Sequence, residues 1–378
     1  MRVNRNKLSQ FNLYVPPHNE QKRIVAKIEE LFSKLDAGIA ALERVQANLK
    51  RYRAAVLKAA VEGKLTEEWR KQNPNTEPAS KLLQRILKER RQKWESEQLE
   101  KYQKSGKTPP KDWQSKYKEP SAPDTANLPS LPDGWCWARC EQVCEFITKG
   151  TTPSANKLNS EKSTIPFVKV NNLTFSGYLD FDSNPTFIDV ETHTGFLERS
   201  ILYPDDVLMN IVGPPLGKVS IVPKTFPEWN MNQAIAVYRT IDGLERRYLA
   251  LCVMTDSILF WALSRTKTTV GQVNLTLEIC RDLPIPLPPI QEQLQIVSEV
   301  DKLLSETEFT RTITTNSIIR ASSLRQSILK QAFLGKLVPQ DPNDEPASVL
   351  LQRIQAEKAN TIKAKPAKRQ RQKVNDEN

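Results

Sequence analysis

Few residues in this chain are spaced for chemistry, and those that come nearest fail on a definite point. Gly213-Pro214-Pro215-Leu216-Gly217-Lys218-Val219 approaches a phosphate loop. It has one residue too few between its glycines, and Val219 stands where Ser or Thr must reach magnesium. Cys136, Cys140 and Cys144 recur every four residues, which on a helix would put three thiols on one face. Zinc would need a fourth ligand and tighter pairing, so the spacing reads as a stripe of small core residues. The only histidines are His18 and His193, and no serine or cysteine stands in a Gly-x-Ser-x-Gly turn. A methyltransferase acting on base amino groups carries an Asn- or Asp-Pro-Pro-aromatic loop. The Pro-Pro pairs at 16–17, 109–110, 214–215 and 288–289 all miss that pattern. No metal site and no cofactor is expected, and if methylation or cleavage is involved a partner performs it.

Composition narrows the class. An apolar fraction of 39% is that of a globular protein. No run of about 18 apolar residues exists, and Met1 is followed by charges rather than a hydrophobic stretch, so neither a membrane span nor a secretory signal is expected and the cytoplasm is the default location. Five cysteines, an odd number, fit a reducing compartment better than a disulfide framework. A net charge of +11 invites nucleic acid, since Lys and Arg on phosphates release counterions. It does not lie where a simple basic patch would put it: residues 131–275 hold 13 Lys or Arg against 15 Asp or Glu.

Any binding residues must be positioned by elements that a long internal repeat defines. Pro16-Pro17-His18-Asn19-Glu20-Gln21 returns as Pro288-Pro289-Ile290-Gln291-Glu292-Gln293, a shift of 272. The same shift pairs Ile24-Val25 with Ile296-Val297, Leu31 with Leu303, Leu57-Lys58 with Leu329-Lys330, and Gly63-Lys64-Leu65 with Gly335-Lys336-Leu337. After a four-residue deletion, Glu77-Pro78-Ala79-Ser80 matches Glu345-Pro346-Ala347-Ser348. Each copy reads as a long helix and then a shorter one. In the first, Ile24, Ile28, Leu31, Leu35, Ile39, Leu42, Val45 and Leu49 form a seam at helical spacing, Asn19 can cap the start and Gly63 the end. About 44 residues at 1.5 Å each span roughly 66 Å, which calls for a partner of equal length. Ile296, Val300, Leu303, Leu324 and Ile328 supply the ends of a second seam around a Thr-rich middle, so the two helices are expected to pair as an antiparallel coiled coil.

The spans follow. Residues 13–86 form a first helical region and 87–130, charged and then Pro/Ser-rich, a linker. Residues 131–282 form a mixed α/β domain, with strands at 164–170, 207–211, 219–222 and 234–239 and one helix at 246–264. Residues 283–360 form a second helical region and 361–378 a basic disordered tail.

Together these features resemble the specificity subunit of type I restriction-modification systems, over nearly the whole chain. The resemblance rests on the stretch Pro-x-Pro-x-Pro-Pro-x-x-Glu-Gln at 284–293, Gly-Lys-Leu at 335–337 and Leu-Pro-x-Gly-Trp at 131–135. Lys-Gly-Thr-Thr-Pro at 149–153, Asn-Gln-Ala at 232–234 and Gly-Gln-x-Asn-Leu at 271–275 add to it in the same order. It implies a mixed α+β fold, one α/β target-recognition domain flanked by two long helices pairing as an antiparallel coiled coil. It also implies a non-catalytic subunit that reads one half of a bipartite target in double-stranded DNA. Methyltransferase and restriction subunits would be its partners, and no membrane. The family carries two recognition domains. Here residues 1–12 resemble the end of a first domain that is otherwise missing, so the gene is shortened, or the chain is a fragment, or a second polypeptide supplies that half.

Within such a domain, base edges are read by Arg, Lys, Asn, Gln and Thr while phosphate contacts set position. Three loops have that composition, and each could equally be a solvated turn. They are Lys149, Gly150, Thr151 and Thr152; Lys169, Asn171 and Asn172; and Arg265, Lys267, Thr268, Thr269, Gly271, Gln272 and Asn274. Lys218 is a weaker fourth candidate. Two rival readings stand beside this one, a coiled-coil scaffold without DNA readout and an enzyme with an unfamiliar active site. Against the second, the pure chain given S-adenosylmethionine, ATP, magnesium and DNA is expected to show neither methyl transfer nor cleavage. Turnover measured with labelled methyl donor and plasmid would refute the non-catalytic reading.

Overall fold

The computed structural model describes residues 13–158, 165–266 and 273–363. The chain begins with α1 (His18–Val61), α2 (Glu67–Gln72) and α3 (Ala79–Lys104). A mixed region follows: β1 (Cys136–Arg139), α4 (Cys140–Val143), β2 (Cys144–Lys149), β3 (Ile165–Val168), β4 (Phe187–Ile188) and α5 (Val190–Thr194). It continues with β5 (Val207–Asn210), β6 (Val212–Gly213), β7 (Val219–Ile221), β8 (Asn230–Met231), β9 (Ile235–Thr240), α6 (Arg246–Val253) and α7 (Asp256–Leu263). Next come β10 (Val273–Asn274), α8 (Leu277–Asp282) and β11 (Pro284–Leu287), and the chain closes with α9 (Ile290–Phe333) and α10 (Ala347–Lys363). Two compact units result, one of Lys50–Glu308 and one of Met1–Leu49 with Phe309–Asn378.

The larger unit is built on an antiparallel sheet in the order β2-β9-β5-β7. Alternation along its strands feeds two cores. Val207, Met209, Ala236 and Tyr238 join the core that includes α6, α8 and the neighbouring ends of α1 and α9. Leu208, Ile235 and Val237 face a second core with Trp229, Phe181 and Phe187. A sheet buried on both faces reads as continuous apolar runs, as Val207–Asn210 does. A smaller sheet, β4-β3-β8, lines the second core.

The domain is closed at its base, where β1 pairs antiparallel with β11, Cys136 opposite Leu287. Just outside that pair lies Glu292, 1% exposed. Its Oε1 accepts from the Thr66 hydroxyl (2.6 Å) and the Arg70 guanidinium (2.5 Å), its Oε2 from the Trp135 indole (2.8 Å). Gly63 lies beneath them. At φ 69 it takes a left-handed turn that glycine favours, and a Cβ would come within 2.7 Å of Pro132 and 3.1 Å of Trp135.

In the smaller unit α1 and α9 run antiparallel. Gln46 donates to Thr315 (3.0 Å) and Asp36 receives Arg325, so the contacts climb one helix as they descend the other. Arg325 also lies over the Phe32 ring. Each helix has 44 residues, matching the repeat. Seam residues such as Ile24, Ile28, Leu31 and Leu35 are half-buried because a two-helix pair covers one stripe only. Two seam residues depart from expectation, Leu324 at 50% exposed and Val45 at 38%. The contact stripe of α9 keeps the expected Ile328 and passes otherwise through Thr314 and Ala332, all buried. Asn19 is not a cap, since the helix already begins at His18.

Other local readings need correction. Residues 87–104 are helix rather than linker: the run lacks Gly and Pro, carries helix-favouring pairs such as Arg91–Glu95 (3.1 Å), and stops at Gly106, φ 67. The Pro-rich part after it is tied down by Trp94, whose ring lies 6.0 Å from Trp113 and 5.3 Å from Tyr117. The single helix at 246–264 is two, because Thr255 caps a new start by accepting from the Ile258 N–H. Cys136, Cys140 and Cys144 do not share one helix. They open β1, α4 and β2 in turn.

Cys140, Cys144, Cys252 and Cys280 are nonetheless all core residues. Burial pushes the Cys252 thiol up to about 12 and those of Cys280 and Cys136 to about 11. A thiol at about 11 is ionised to roughly one part in a thousand at pH 8. The native chain is therefore expected to release almost no chromophore from a disulfide reagent at pH 8, and five equivalents after denaturation.

Candidate nucleic-acid interface

Strand register brings most of the candidate loops to one end of the main sheet. Lys149 lies opposite Ala236, Asn210 opposite Ile235 and Met209 opposite Val219. The last residues of β2 and β5 and the first of β7 and β9 therefore share an edge. The loops there interlock. The Gly150 N–H donates to Ile235 O (3.1 Å). A Cβ at Gly150 would strike the carbonyls of Asn232 and Met231 at 2.2 and 2.3 Å, so only glycine permits the approach. Thr152 Oγ1 accepts from Gln233 N–H (3.4 Å), and Asn232 N–H donates to Val168 O, just ahead of Lys169.

Three buried asparagines hold this edge. Asn172 is fully buried; its Oδ1 accepts from Lys169 N–H (2.9 Å) and its Nδ2 donates to the carbonyls of Asp180 (3.1 Å) and Asn184 (3.2 Å). Asn210, also fully buried, accepts from Lys218 N–H (2.8 Å) and donates to Pro215 O (2.7 Å), fixing the 212–218 loop. Asn230 donates to Leu197 O and accepts from Ser200 beside His193. His193 bridges Asn230 and Glu228 and is a structural residue, 1% exposed.

Of the sequence candidates, Lys149, Thr152, Asn171, Arg265 and Asn274 are exposed, and Thr151, Lys169 and Lys218 are half-exposed. Asn274 joins the edge through β10, which pairs with β6, Asn274 opposite Val212. Lys218 points its ammonium towards Val170 O (3.4 Å) and lies 6.0 Å from the Phe175 ring centre. Two candidates change role: Gly150 is spacing rather than contact, and Asn172 is spent on backbone. Arg265 stacks back on Trp261, 3.7 Å from its ring centre. Lys267, Thr268, Thr269, Gly271 and Gln272 lie outside the described residues.

The sequence reading passed over three exposed side chains here. Gln233 is exposed on the turn whose backbone N–H donates to Thr152; Asn-Gln-Ala was visible as a motif, but only strand pairing shows which loop it lies beside. Phe175 and Tyr178, 51% and 61% exposed, flank a turn held by Thr174 and Ser220. Nothing in a four-residue stretch signals that.

Charge is sorted along the sheet. The segments at this end, 149–157, 168–178, 211–219, 230–235 and 273–275, contain Lys149, Lys157, Lys169 and Lys218 and no Asp or Glu. Acids gather at the other end, where Asp206 takes the Arg239 fork at 2.8 and 2.7 Å and Asp205 meets Arg246 at 3.1 Å. A domain of slightly negative total charge thus presents one basic, amide-bearing edge. Among the described residues no group of His, Cys, Asp and Glu could hold a metal ion, and no helix is long and apolar enough to cross a membrane.

Residues 132–317 match the model of the type I restriction modification DNA specificity domain. The chain is 27% identical over 369 residues to the type I restriction enzyme EcoDI specificity subunit of Escherichia coli, covering 94% of this chain and 71% of that protein. It is 28% identical to the EcoAI specificity subunit of Escherichia coli (85% and 58%), and 27% to the EcoKI specificity subunit of strain K12 (92% and 64%). Among solved structures it is similar to a chain of a type I R-M system assembly, TM-score 0.49 at 21% identity over 88% of this chain and 64% of that one. It is also similar to the HsdS subunit of Thermoanaerobacter tengcongensis, TM-score 0.42 at 20% identity, covering 88% and 63%. Residues 132–317 thus carry the type I restriction modification DNA specificity domain, and most of the chain is similar to the specificity subunits of type I restriction enzymes.

The two adjacent asparagines separate structure from contact. Replacing Asn172 with Ala removes one acceptor and two donors from part-buried backbone groups and is expected to cost about 1 to 3 kcal/mol in denaturant unfolding. Replacing exposed Asn171 with Ala should change stability by less than about 0.5 kcal/mol.

Proposed function

We propose that this chain is the DNA-recognition subunit of a cytoplasmic type I restriction-modification complex. Its domain reads one half of a bipartite duplex target, while its helices dock the methyltransferase and restriction subunits. The observation that carries the reading is the edge where five chain segments, none of them containing Asp or Glu, present Lys, Thr, Asn and Gln on a fixed backbone. In that arrangement Lys149, Lys169 and Lys218 meet phosphates. Asn171, Gln233 and Asn274, with Thr151 and Thr152, are placed for base edges. Lys267, Thr268, Thr269, Gly271 and Gln272, which precede Asn274 in the sequence, are assigned to DNA contact with Arg265 on their residue types alone. A scaffold without readout would give none of the sequence dependence below.

The test is binding of the assembled methyltransferase complex to cognate and scrambled duplexes over a salt series. Gln233→Ala or Asn274→Ala should cost roughly 1 to 3 kcal/mol on the cognate half-site and little on scrambled DNA. Lys149→Ala or Lys218→Ala should weaken both duplexes alike and reduce the salt slope by about one per lost phosphate contact. Unchanged affinity and specificity in all four variants would move the DNA face elsewhere on the domain.

A further inference from the structure

Two large side chains beside the candidate edge take no part in the readout assigned above. Phe175 and Tyr178 are 51% and 61% exposed, and both lie in the five-residue stretch Thr174-Phe175-Ser176-Gly177-Tyr178. Single exposed apolar residues are common on any protein surface. This pair differs because its backbone is stitched down. Leu173 and Leu179 bridge antiparallel at the base of the turn, and Gly177, φ 88, bends its tip. The Tyr178 carbonyl accepts from the hydroxyls of Thr174 (2.6 Å) and Ser220 (2.7 Å). Val219 N–H donates to Thr174 O (3.0 Å) and Ile221 N–H to Gly177 O (3.1 Å), so β7 holds both sides of the turn. Apolar residues of the helical layer stand against it: a Cβ at Gly177 would meet Met254 Cε at 3.7 Å, and one at Gly217 would lie 3.4 Å from Leu259 and 4.0 Å from the Phe175 ring.

The surroundings of the rings are cationic. Lys218 Nζ is 6.0 Å from the Phe175 ring centre and 3.4 Å from Val170 O. Neither 168–178 nor 211–219, which the turn joins, contains Asp or Glu. Flat apolar rings beside ammonium groups suit a ligand that is anionic outside and flat and apolar inside. Duplex DNA is such a ligand, because its phosphates enclose stacked bases whose faces become accessible when a step opens.

We propose that this turn is a wedge. The Phe175 ring enters an opened base step of the duplex and stacks on a base, Tyr178 packs on the adjoining nucleotide, and Lys218 takes the neighbouring phosphate. Contact of this kind reads how readily a step opens, not which hydrogen bonds its edges offer. The entered step is expected to be pyrimidine–purine, since such steps unstack most easily. The inference rests on the DNA reading of the domain and adds to it specificity at a position that no hydrogen-bonding side chain touches.

The assembled methyltransferase complex is bound to its target duplex, located by mapping the bases it methylates, with 2-aminopurine placed at one position after another. Stacking quenches this fluorescent base, so an entered step brightens. One step away from the methylated base is expected to brighten with the wild-type chain and to stay dark with Phe175→Ala. That variant should also bind the target about tenfold or more weakly, as loss of a base–aromatic stack does. Its salt slope should not change, because no phosphate contact is lost. Phe175→Trp, which keeps a flat ring, should restore both signals. No brightened step outside the methylated base, or brightening that persists in Phe175→Ala, overturns the proposal. Failure of the DNA reading itself has a different signature. If Lys149→Ala and Gln233→Ala also leave binding unchanged, the DNA face lies elsewhere and the wedge falls with it; if those two weaken binding while Phe175→Ala does not, the wedge alone falls. Weaker assembly of Phe175→Ala with the methyltransferase in the absence of DNA also overturns it, by assigning the rings to a protein partner. Because Phe175 is half-exposed, the Tm of Phe175→Ala should match the wild-type value. If the variant nonetheless fails to fold, the scan with the wild-type chain decides alone.

Discussion

The larger unit depends on one carboxylate. Glu292 lies at the start of α9, where the chain has just left the recognition domain, and its three partners come from the turn after α1 and from the segment that leads into the domain. One buried acid thus ties the way in, the way out and the preceding helical repeat. Breaking a buried pair by removing one partner leaves an uncompensated charge, which costs far more than the pair itself contributes. That asymmetry makes the junction all-or-none. The β1–β11 ladder and the sheet beyond it are held in place relative to the helix ends that complete their core.

From that junction the domain extends as a sheet whose central strands are packed on both faces, and this constrains where binding can occur. Both surfaces of β5 and β9 are packed, so side chains on the strands are committed to core and only the strand ends can meet a ligand. At one end buried Asn172 and Asn210 satisfy backbone groups that would otherwise need water. The exposed Lys, Thr, Asn and Gln beside them stand on backbone already fixed. Preorganisation of this kind lowers the ordering cost of binding. At the other end Asp205 and Asp206 are engaged by Arg246 and Arg239, so the negative charge of the domain is neutralised away from the binding edge.

Much of this was legible in the sequence, for identifiable reasons. The repeat gave two helices of equal length, because a seam at helical spacing and a closing glycine are local signals. The strands at 207–210, 219–221 and 235–240 appeared as apolar runs between turns. What could not be read was direction. Leu324 has the right residue type for the seam, yet α9 turns it outward and buries Thr314 and Ala332 beside the expected Ile328. Asn171 and Asn172 are adjacent and chemically identical, and only the fold shows that one is spent on backbone while the other is free to make contacts. The charged run 87–104 read as linker because it lacks an apolar stripe, and it is helical because a chain without Gly or Pro can hold a helix on side-chain pairs. Gln233 was passed over because its neighbours across the edge come from segments some 60 to 80 residues away.

Gly150 gives this edge an evolutionary character. With two carbonyl oxygens where its Cβ would be, the 149–153 loop cannot change its path without displacing the turn at 232–234, so the two backbones persist together or fail together. Variation is thereby channelled into the side chains that project outward from them. Such residues bear little of the core's energy, so they can be exchanged with small effect on folding. A surface built this way can drift from one binding preference to another by single substitutions, each leaving a folded protein on which selection can act.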